Sequence, residues 1–260
     1  MSTNKGKFSG KVALITGASR GIGSEIAKKL AEGGAEFIGV HYASNREAAL
    51  HVVDEVKSLG SKAVALEADL TAGISGVEKL WAAFEDATRS EIGAVHLDIL
   101  VNNVGIAPVI PFEETSIDTF EDVINVNLKA PYFLIQAASP FIRENGRIIN
   151  ISTGFTRVAA PMHTIYAASK GGIETLTLAL AQHFGPRGIT VNAVRPGTTA
   201  TDMNKDWLAD PTAHAEAASM STFSRVGNTS DVADVVVFVA SEEARWVTGH
   251  FLDATGGSRL

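Results

Sequence analysis

Short, unbroken apolar runs alternate with helix-length amphipathic segments along almost the whole chain, and this alternation constrains the fold more than any other feature of the sequence. The runs lie near Val12–Thr16, Glu36–His41, Lys62–Glu67, Leu97–Asn102, Gly146–Ser152, Thr190–Arg195 and His250–Asp253. The helical patterns lie near Ile22–Glu32, Arg46–Leu59, Gly76–Ser90, Ile117–Arg143, Thr164–Phe184 and Ser230–Ser241. A strand that is apolar on every residue has both faces buried, so these runs predict a parallel sheet covered by helices on both sides. Strict alternation predicts right-handed crossovers and an α/β, doubly wound sheet of about seven strands.

The 260 residues, 45% of them hydrophobic, suffice for one α/β core. No linker, repeat or low-complexity tract divides the chain, so residues 1–260 read as a single domain of Rossmann type. The exception to the regular pattern is 198–227, which is polar and weakly periodic and reads as a substrate-covering segment with short helices. No stretch approaches the roughly 18 apolar residues of a membrane span. The polar residues 1–10 do not resemble a secretory signal, and a cytoplasmic protein without membrane partners is expected. The sequence has no cysteine, which excludes disulfides and thiolate zinc sites. A net charge of −7 without a basic run argues against nucleic acid as a partner, because phosphate affinity rests on clustered Lys and Arg.

Directly after the first run comes Gly17-Ala-Ser-Arg-Gly-Ile-Gly23, opening an amphipathic helix. Glycines let the backbone approach a ligand, and a new helix offers unpaired N–H groups to a pyrophosphate. Gly17, Ser19, Arg20, Gly21, Ile22 and Gly23 are therefore the expected dinucleotide cradle, although the G-x-x-x-G-x-G spacing departs from G-x-G-x-x-G. The same stretch satisfies G-x-S-x-G, the nucleophile elbow of hydrolases. That reading needs an upstream oxyanion loop, and only one polar segment and one strand precede Ser19.

An NAD-preferring site places a carboxylate at the end of the second strand. Here the tip reads His41-Tyr42-Ala43-Ser44, followed by Asn45 and Arg46, with no acid. Arg20 with Ser44, Asn45 and Arg46 can instead meet a 2′-phosphate through charge-assisted bonds, which favours NADP(H). Arg46 serves equally well as a solvated residue in the first turn of a helix.

Tyr166-Ala-Ala-Ser-Lys170 opens a long helical pattern and puts both side chains on one face. A phenol near pKa 10 is a poor acid or base at neutral pH, and a neighbouring ammonium is expected to lower it. Together with Thr16-Gly-Ala-Ser-Arg-Gly-Ile-Gly23, Asp69-Leu70, Asn102-Asn-Val-Gly105, Asn127, Pro196-Gly197 and Thr201, the chain resembles the short-chain dehydrogenase/reductase family over essentially its whole length. The resemblance implies adenine contact at Asp69 and Leu70, and a cofactor flank at Asn102, Asn103, Val104 and Gly105. It implies that Tyr166 and Lys170 meet the nicotinamide ribose, and that Pro196, Gly197, Thr199 and Thr201 meet the nicotinamide amide and pyrophosphate.

Two positions depart from the family. Val104 stands where alanine is usual, and the position 13 residues before Tyr166, usually serine, is Thr153. Side chains alternate along a strand, so Thr153 is assigned the carbonyl-polarising hydroxyl and Ser152 is expected to face away. By resemblance Asn127 ties Lys170 to solvent through a water; it can equally satisfy backbone groups at a helix irregularity.

The expected reaction is NADP(H)-dependent reduction of a ketone to a secondary alcohol, with Asn127, Thr153, Tyr166 and Lys170 as catalytic residues. A 3-ketoacyl-carrier-protein reductase is the alternative within this class, and would want a basic docking surface for which Arg187 is the one candidate. A non-catalytic NADP-binding sensor is the alternative outside it; sensors of this fold commonly lack the tyrosine or lysine, and this chain keeps both. The scattered histidines carry no metal-type pairing, so no metal is expected. Phe155 and His163 either shape the pocket or pack its wall. Family members are commonly tetramers that pack their two long helices on one another, and Ile173, Leu176, Leu178 and Leu180 agree with burial on more than one side.

Overall fold

The computed structural model describes residues 6–259. Seven parallel strands form one sheet in the order β3-β2-β1-β4-β5-β6-β7. They are β1 (Val12–Ile15), β2 (Phe37–Tyr42), β3 (Lys62–Glu67), β4 (Leu97–Asn102), β5 (Ile142–Ile151), β6 (Thr190–Pro196) and β7 (Phe251–Ala254). β1, β2 and β4 are buried at every residue, as their apolar runs require.

The helices are α1 (Gly21–Glu32), α2 (Arg46–Ser58), α3 (Ile74–Ile92), α4 (Ile117–Ile124), α5 (Ala130–Ala138), α6 (Thr164–Phe184), α7 (Lys205–Leu208), α8 (Pro211–Met220) and α9 (Thr229–Ala240). One apolar cluster joins α1, α2 and α9 to one face of the sheet through Ile26, Leu30, Val52, Val56, Val236 and Val239. The second joins α3, α5 and α6 to the other face through Leu80, Phe84, Leu134, Ala181 and Phe184. The strand order reverses between β1 and β4, which opens a crevice at their carboxyl ends. The expected segments at 17–23, 41–44, 69–70, 102–105, 153 and 196–201 lie at or just beyond the carboxyl ends of β1 to β6, whereas Asn127 lies between α4 and α5 and Tyr166 and Lys170 lie on α6.

The long helix expected over Ile117–Arg143 is not one helix. α4 and α5 are joined by a π turn at Asn125–Lys129, and α5 stops at Ala138, just ahead of Pro140, whose ring and missing N–H cannot continue it. Arg143 lies in β5, and its guanidinium binds the buried Asp98 (Nε to Oδ1 2.9 Å). β5 therefore begins four residues before the expected Gly146, with an irregularity that carries the pairing from Leu97↔Ile142 to Ile99↔Arg147. The polar stretch read at 1–10 lies partly outside the described residues. Within them it contains Phe8, 2% exposed, which packs against Gly33.

Candidate active site

β1 runs into the glycine turn, where Gly17 (φ +63°) and Gly21 (φ +59°) take left-handed conformations. α1 then begins with no side-chain cap from Arg20 and no acid in its first turn, so its first N–H groups face the crevice without a protein side chain to satisfy them. A Cβ on Gly23 would collide with the Gly17 carbonyl and lie 2.6 Å from Asn103 Nδ2. An uncapped helix start, a backbone closed against its neighbour and no acid in the helix's first turn fit a dinucleotide pyrophosphate.

Thr16 and Asn103 fasten this turn to the end of β4. Thr16 Oγ1 accepts from the N–H groups of Asn103 (2.9 Å) and Val104 (3.0 Å), while Asn103 Nδ2 donates to the carbonyls of Thr16 (2.9 Å) and Gly17 (3.0 Å). Sequence reasoning treats Asn103 as a cofactor contact and gives Thr16 no role. Asn103's side chain is spent on the turn, and a lone hydroxyl at the end of an apolar strand is the signal that identifies Thr16.

Several expected contacts turn inward. His41 is buried; its Nδ1 accepts from Gly17 N–H (3.0 Å) and its Nε2 lies 3.0 Å from the Ala68 carbonyl, which fixes the Nε2–H tautomer. Tyr42 is buried with its hydroxyl on Glu67 (3.1 Å), and Leu70 belongs to the core. Asn102 donates to Asn150 (2.8 Å) inside the sheet. The side chains of His41, Tyr42, Asn102 and Leu70 thus shape the crevice from behind, because β2 and β4 are covered on both faces and the turn after β3 packs Leu70 into the core. Ala43, Ser44, Asn45 and Arg46 are exposed at the tip of β2, and Asn45 caps α2 through Ala48 N–H (3.0 Å). Asp69 is exposed and accepts from Thr71 N–H and Oγ1 (2.9 and 2.8 Å). Arg20 is exposed and lies 3.7 Å from Asp202 across the crevice.

Burial lowers His41 from 6.5 to about 4, with the Ala68 carbonyl opposing the shift. Between those values the unfolded chain holds a proton that the folded chain does not, so stability falls as pH drops from 6.5 to 4, by about 3 kcal/mol from this residue. Urea unfolding at pH 7 and pH 4.5 should show that loss, and His41→Gln, which cannot titrate, should reduce the slope.

Tyr166 and Lys170 stand one turn apart on α6. Thr153, 7% exposed, follows β5 by two residues and caps the short 3₁₀ turn after it; its hydroxyl accepts from Phe155 N–H (3.3 Å) and stands near enough to the Tyr166 phenol to lower its pKa. Ser152 points the other way, donating to Glu174 (2.7 Å). Lys170 is buried and donates to the Ile151 carbonyl (2.8 Å); burial lowers it to about 8. Against the expectation from sequence, the net shift on Tyr166 is upward: burial raises the phenol, Thr153 offsets this in part, and the Lys170 ammonium is directed to Ile151.

Asn127 lies within the π turn, a helix irregularity frequent at functional sites. Its Oδ1 accepts from Ile106 N–H (2.9 Å), and its Nδ2 donates to the Ile106 carbonyl (2.9 Å) and lies 3.1 Å from Ser169 Oγ. Gly105 separates it from Lys170: a Cβ there would lie 3.4 Å from both Asn127 Oδ1 and Lys170 Nζ.

The mouth is aromatic. Phe155 stacks on His163 (centroids 4.8 Å, 23°), and both rings stand edge-on to Tyr166 at 6.4 Å. Exposed Val109, Phe112 and Met162 come from the adjoining loops, tied by Ile110 N–H to the Met162 carbonyl (3.0 Å). Residues 200–226 carry α7, α8 and exposed Met203, Trp207 and Phe223, and are pinched at the neck by a Thr199–Gly227 bridge. Thr199 is buried in that neck and bonds the Gly197 carbonyl (3.0 Å); Thr201 packs beside Gly21. A cleft of about 390 Å³ runs from Gly21 to Thr201, Asp202, Lys205 and Leu208. Among the described residues no group of three or more His, Cys, Asp or Glu is placed to hold a metal ion, and no helix is long and apolar enough to cross a membrane.

This arrangement of an uncapped cradle beside a paired phenol and threonine is that of a nicotinamide-dependent oxidoreductase. Residues 17–259 match the family model described as enoyl-(acyl carrier protein) reductase. Versicolorin reductase stcU of Emericella nidulans is 39% identical, with 99% of this chain and 98% of that one covered. The solved structure of angucycline C-6 ketoreductase LanV with bound NADP is 42% identical with a TM-score of 0.92, covering 97% of this chain and 96% of its own. LugOII, described as a promiscuous reductase catalysing keto-reduction at C1 during lugdunomycin biosynthesis, is 42% identical with a TM-score of 0.93, covering 98% and 100%. The chain belongs to the short-chain dehydrogenase/reductase family.

Proposed function

We propose that the protein reduces a ketone on a flat, polycyclic aromatic molecule to a secondary alcohol. It is an NADP(H)-dependent oxidoreductase acting on the C=O/CH–OH pair. The observation that carries the substrate class is the stacked Phe155–His163 pair beside the Tyr166 phenol, a planar wall at the reacting group. Relatives named for versicolorin and for angucycline C-6 reduction support it.

In this reading Gly17, Ser19, Arg20, Gly21, Ile22 and Gly23 hold the pyrophosphate and 2′-phosphate side. Ser44 and Asp69 flank the adenosine, Val104 and Gly105 the ribose, and Pro196, Gly197, Thr199 and Thr201 the nicotinamide end. When bound, the dinucleotide supplies the hydride. Thr153 holds the substrate oxygen and Tyr166 in one hydrogen-bonded line, and Tyr166 gives its proton to the developing alkoxide. The upward shift on the phenol keeps it protonated for that donation at neutral pH. Lys170 orients the ribose and, near its own titration at about 8, passes a proton inward; Asn127 and water return it from solvent. Residues 198–227 cover the bound substrate, and we place the enzyme's work in the cytoplasm, where reduced nicotinamide is supplied.

A screen of polycyclic quinones and naphthols against small ketones and 3-ketoacyl thioesters, run separately with NADPH and NADH, tests this. Turnover confined to the thioesters overturns the substrate class, and equal use of NADH overturns the cofactor preference. The carrier-protein alternative loses its one basic candidate: Arg187 is tied to Glu144 (3.2 Å) and to the carbonyls of Ser139 (2.8 Å) and Ile142.

The reading includes a homotetramer. Ile117 (76% exposed) and Phe120 (49%) on α4, with Leu178 (51%) on α6, leave apolar surface bare in one chain, which packing against copies would bury. Light scattering should give four copies; a monomer contradicts the assembly.

A further inference from the structure

We propose that Glu174 is a positioning residue that clamps Thr153 against Tyr166 from behind; this rests on the hydroxyl role given to Thr153 above. Glu174 lies on α6 one turn after Lys170 and two after Tyr166, 7% exposed. Its Oε1 accepts from Ser152 Oγ (2.7 Å), Thr156 Oγ1 (2.8 Å) and Arg195 Nε (2.6 Å), and its Oε2 from an Arg195 terminal nitrogen (2.6 Å).

Those donors flank the reacting hydroxyl on both sides along the chain. Ser152 immediately precedes Thr153. Thr156 closes the short 3₁₀ turn that Thr153 caps, and its Oγ1 also lies 2.9 Å from the Thr153 carbonyl. Arg195 immediately precedes Pro196 and Gly197, sits over the Phe251 ring (4.9 Å) and is anchored in the sheet by its register with Asp253. One carboxylate thus joins the helix carrying Tyr166 and Lys170, the strand end carrying Thr153 and the strand end carrying Pro196.

A buried carboxylate with a bidentate guanidinium and two hydroxyl donors holds a single geometry, because losing any partner leaves polar groups unpaired out of water. Burial pushes the Glu174 carboxyl up, but Arg195, Ser152 and Thr156 outweigh it and hold the group below its usual value, so it stays charged at neutral pH. A group with no path to substrate that orients the one hydroxyl meant to touch it acts on kcat through alignment, where shifts on the order of 1 Å cost about 10²-fold.

The test is a double-mutant cycle of E174Q and T153V, with kcat, NADPH Kd and melting temperature measured for each. E174Q is expected to lower kcat about 10- to 30-fold with NADPH Kd within about threefold, and to add less than about twofold in the T153V background. A T153V enzyme that falls while E174Q acts equally in both backgrounds overturns the clamp alone. A T153V enzyme that keeps wild-type kcat overturns the Thr153 role and the clamp with it. Should E174Q not fold, E174M/R195M removes both charges and is expected to recover folding with kcat still low, since Ser152 and Thr156 lack their acceptor. A kcat that recovers with folding reduces Glu174 to a structural residue and overturns the proposal.

Discussion

Tyr166→Phe should lower kcat by about 10²- to 10⁴-fold while NADPH affinity stays within about twofold. The substitution removes one oxygen and leaves the ring that stands edge-on to Phe155 and His163, so the wall of the mouth is preserved. Thr153 loses its phenol partner but keeps a donor in Phe155 N–H (3.3 Å), and Lys170 keeps Ile151. What disappears is the only phenolic proton at the site, and a developing alkoxide is left with Thr153 alone. Stopped-flow reduction under single turnover, with a separate NADPH titration, separates chemistry from binding. Turnover within threefold of wild type would remove Tyr166 from the acid role.

Gly23→Ala should weaken NADPH binding by about 100-fold, equivalent to about 2.7 kcal/mol, and lower the melting temperature as well. The added methyl meets the Gly17 carbonyl and Asn103 Nδ2, and neither can retreat freely. The Gly17 carbonyl and Asn103 Nδ2 are bonded to each other, and Asn103 is also bonded to Thr16. The turn must open, which displaces the N–H groups at the start of α1 from the pyrophosphate. Fluorescence titration with NADPH reads the effect directly. Unchanged affinity would mean that the dinucleotide does not sit on this turn.

The seven strands are legible in sequence because a strand buried on both faces leaves a run without polar interruption, as in Val12–Ile15 and Leu97–Asn102. The π turn is not legible, for a physical reason. Val123, Val126, Asn127, Ala130 and Leu134 are all buried at spacings of three and four, so the core-facing pattern reads as an uninterrupted α-helix. Pro131, in the first turn of α5, and Pro140, just after its end, carry the break signals that the apolar pattern conceals.

At the site, the segments at the strand ends follow from motif spacing, but the direction of individual side chains does not. His41 reads as a tip residue and is instead a buried brace under Gly17, because which face of β2 it takes depends on register with β1 and β3. Ser152 turns to Glu174 while Thr153 stands near Tyr166, opposite directions as alternation along an extended segment requires. Glu174 is out of reach of sequence reasoning: its donors Ser152, Thr156 and Arg195 come from segments that only the folded sheet brings together.

The Thr16–Asn103 fastening divides the enzyme's evolvability. It fixes β1 to β4 through backbone groups that do not depend on what is being reduced. Residues 106–116, 154–163 and 200–226 each leave a strand end and lead into a helix as separate excursions, and they carry Phe112, Phe155, His163 and Trp207. Exchange of any one of them alters the outline offered to a ring system without disturbing the hydrogen-bonded platform beneath. Such a chassis is suited to acquiring new ketones by loop grafting, one excursion at a time.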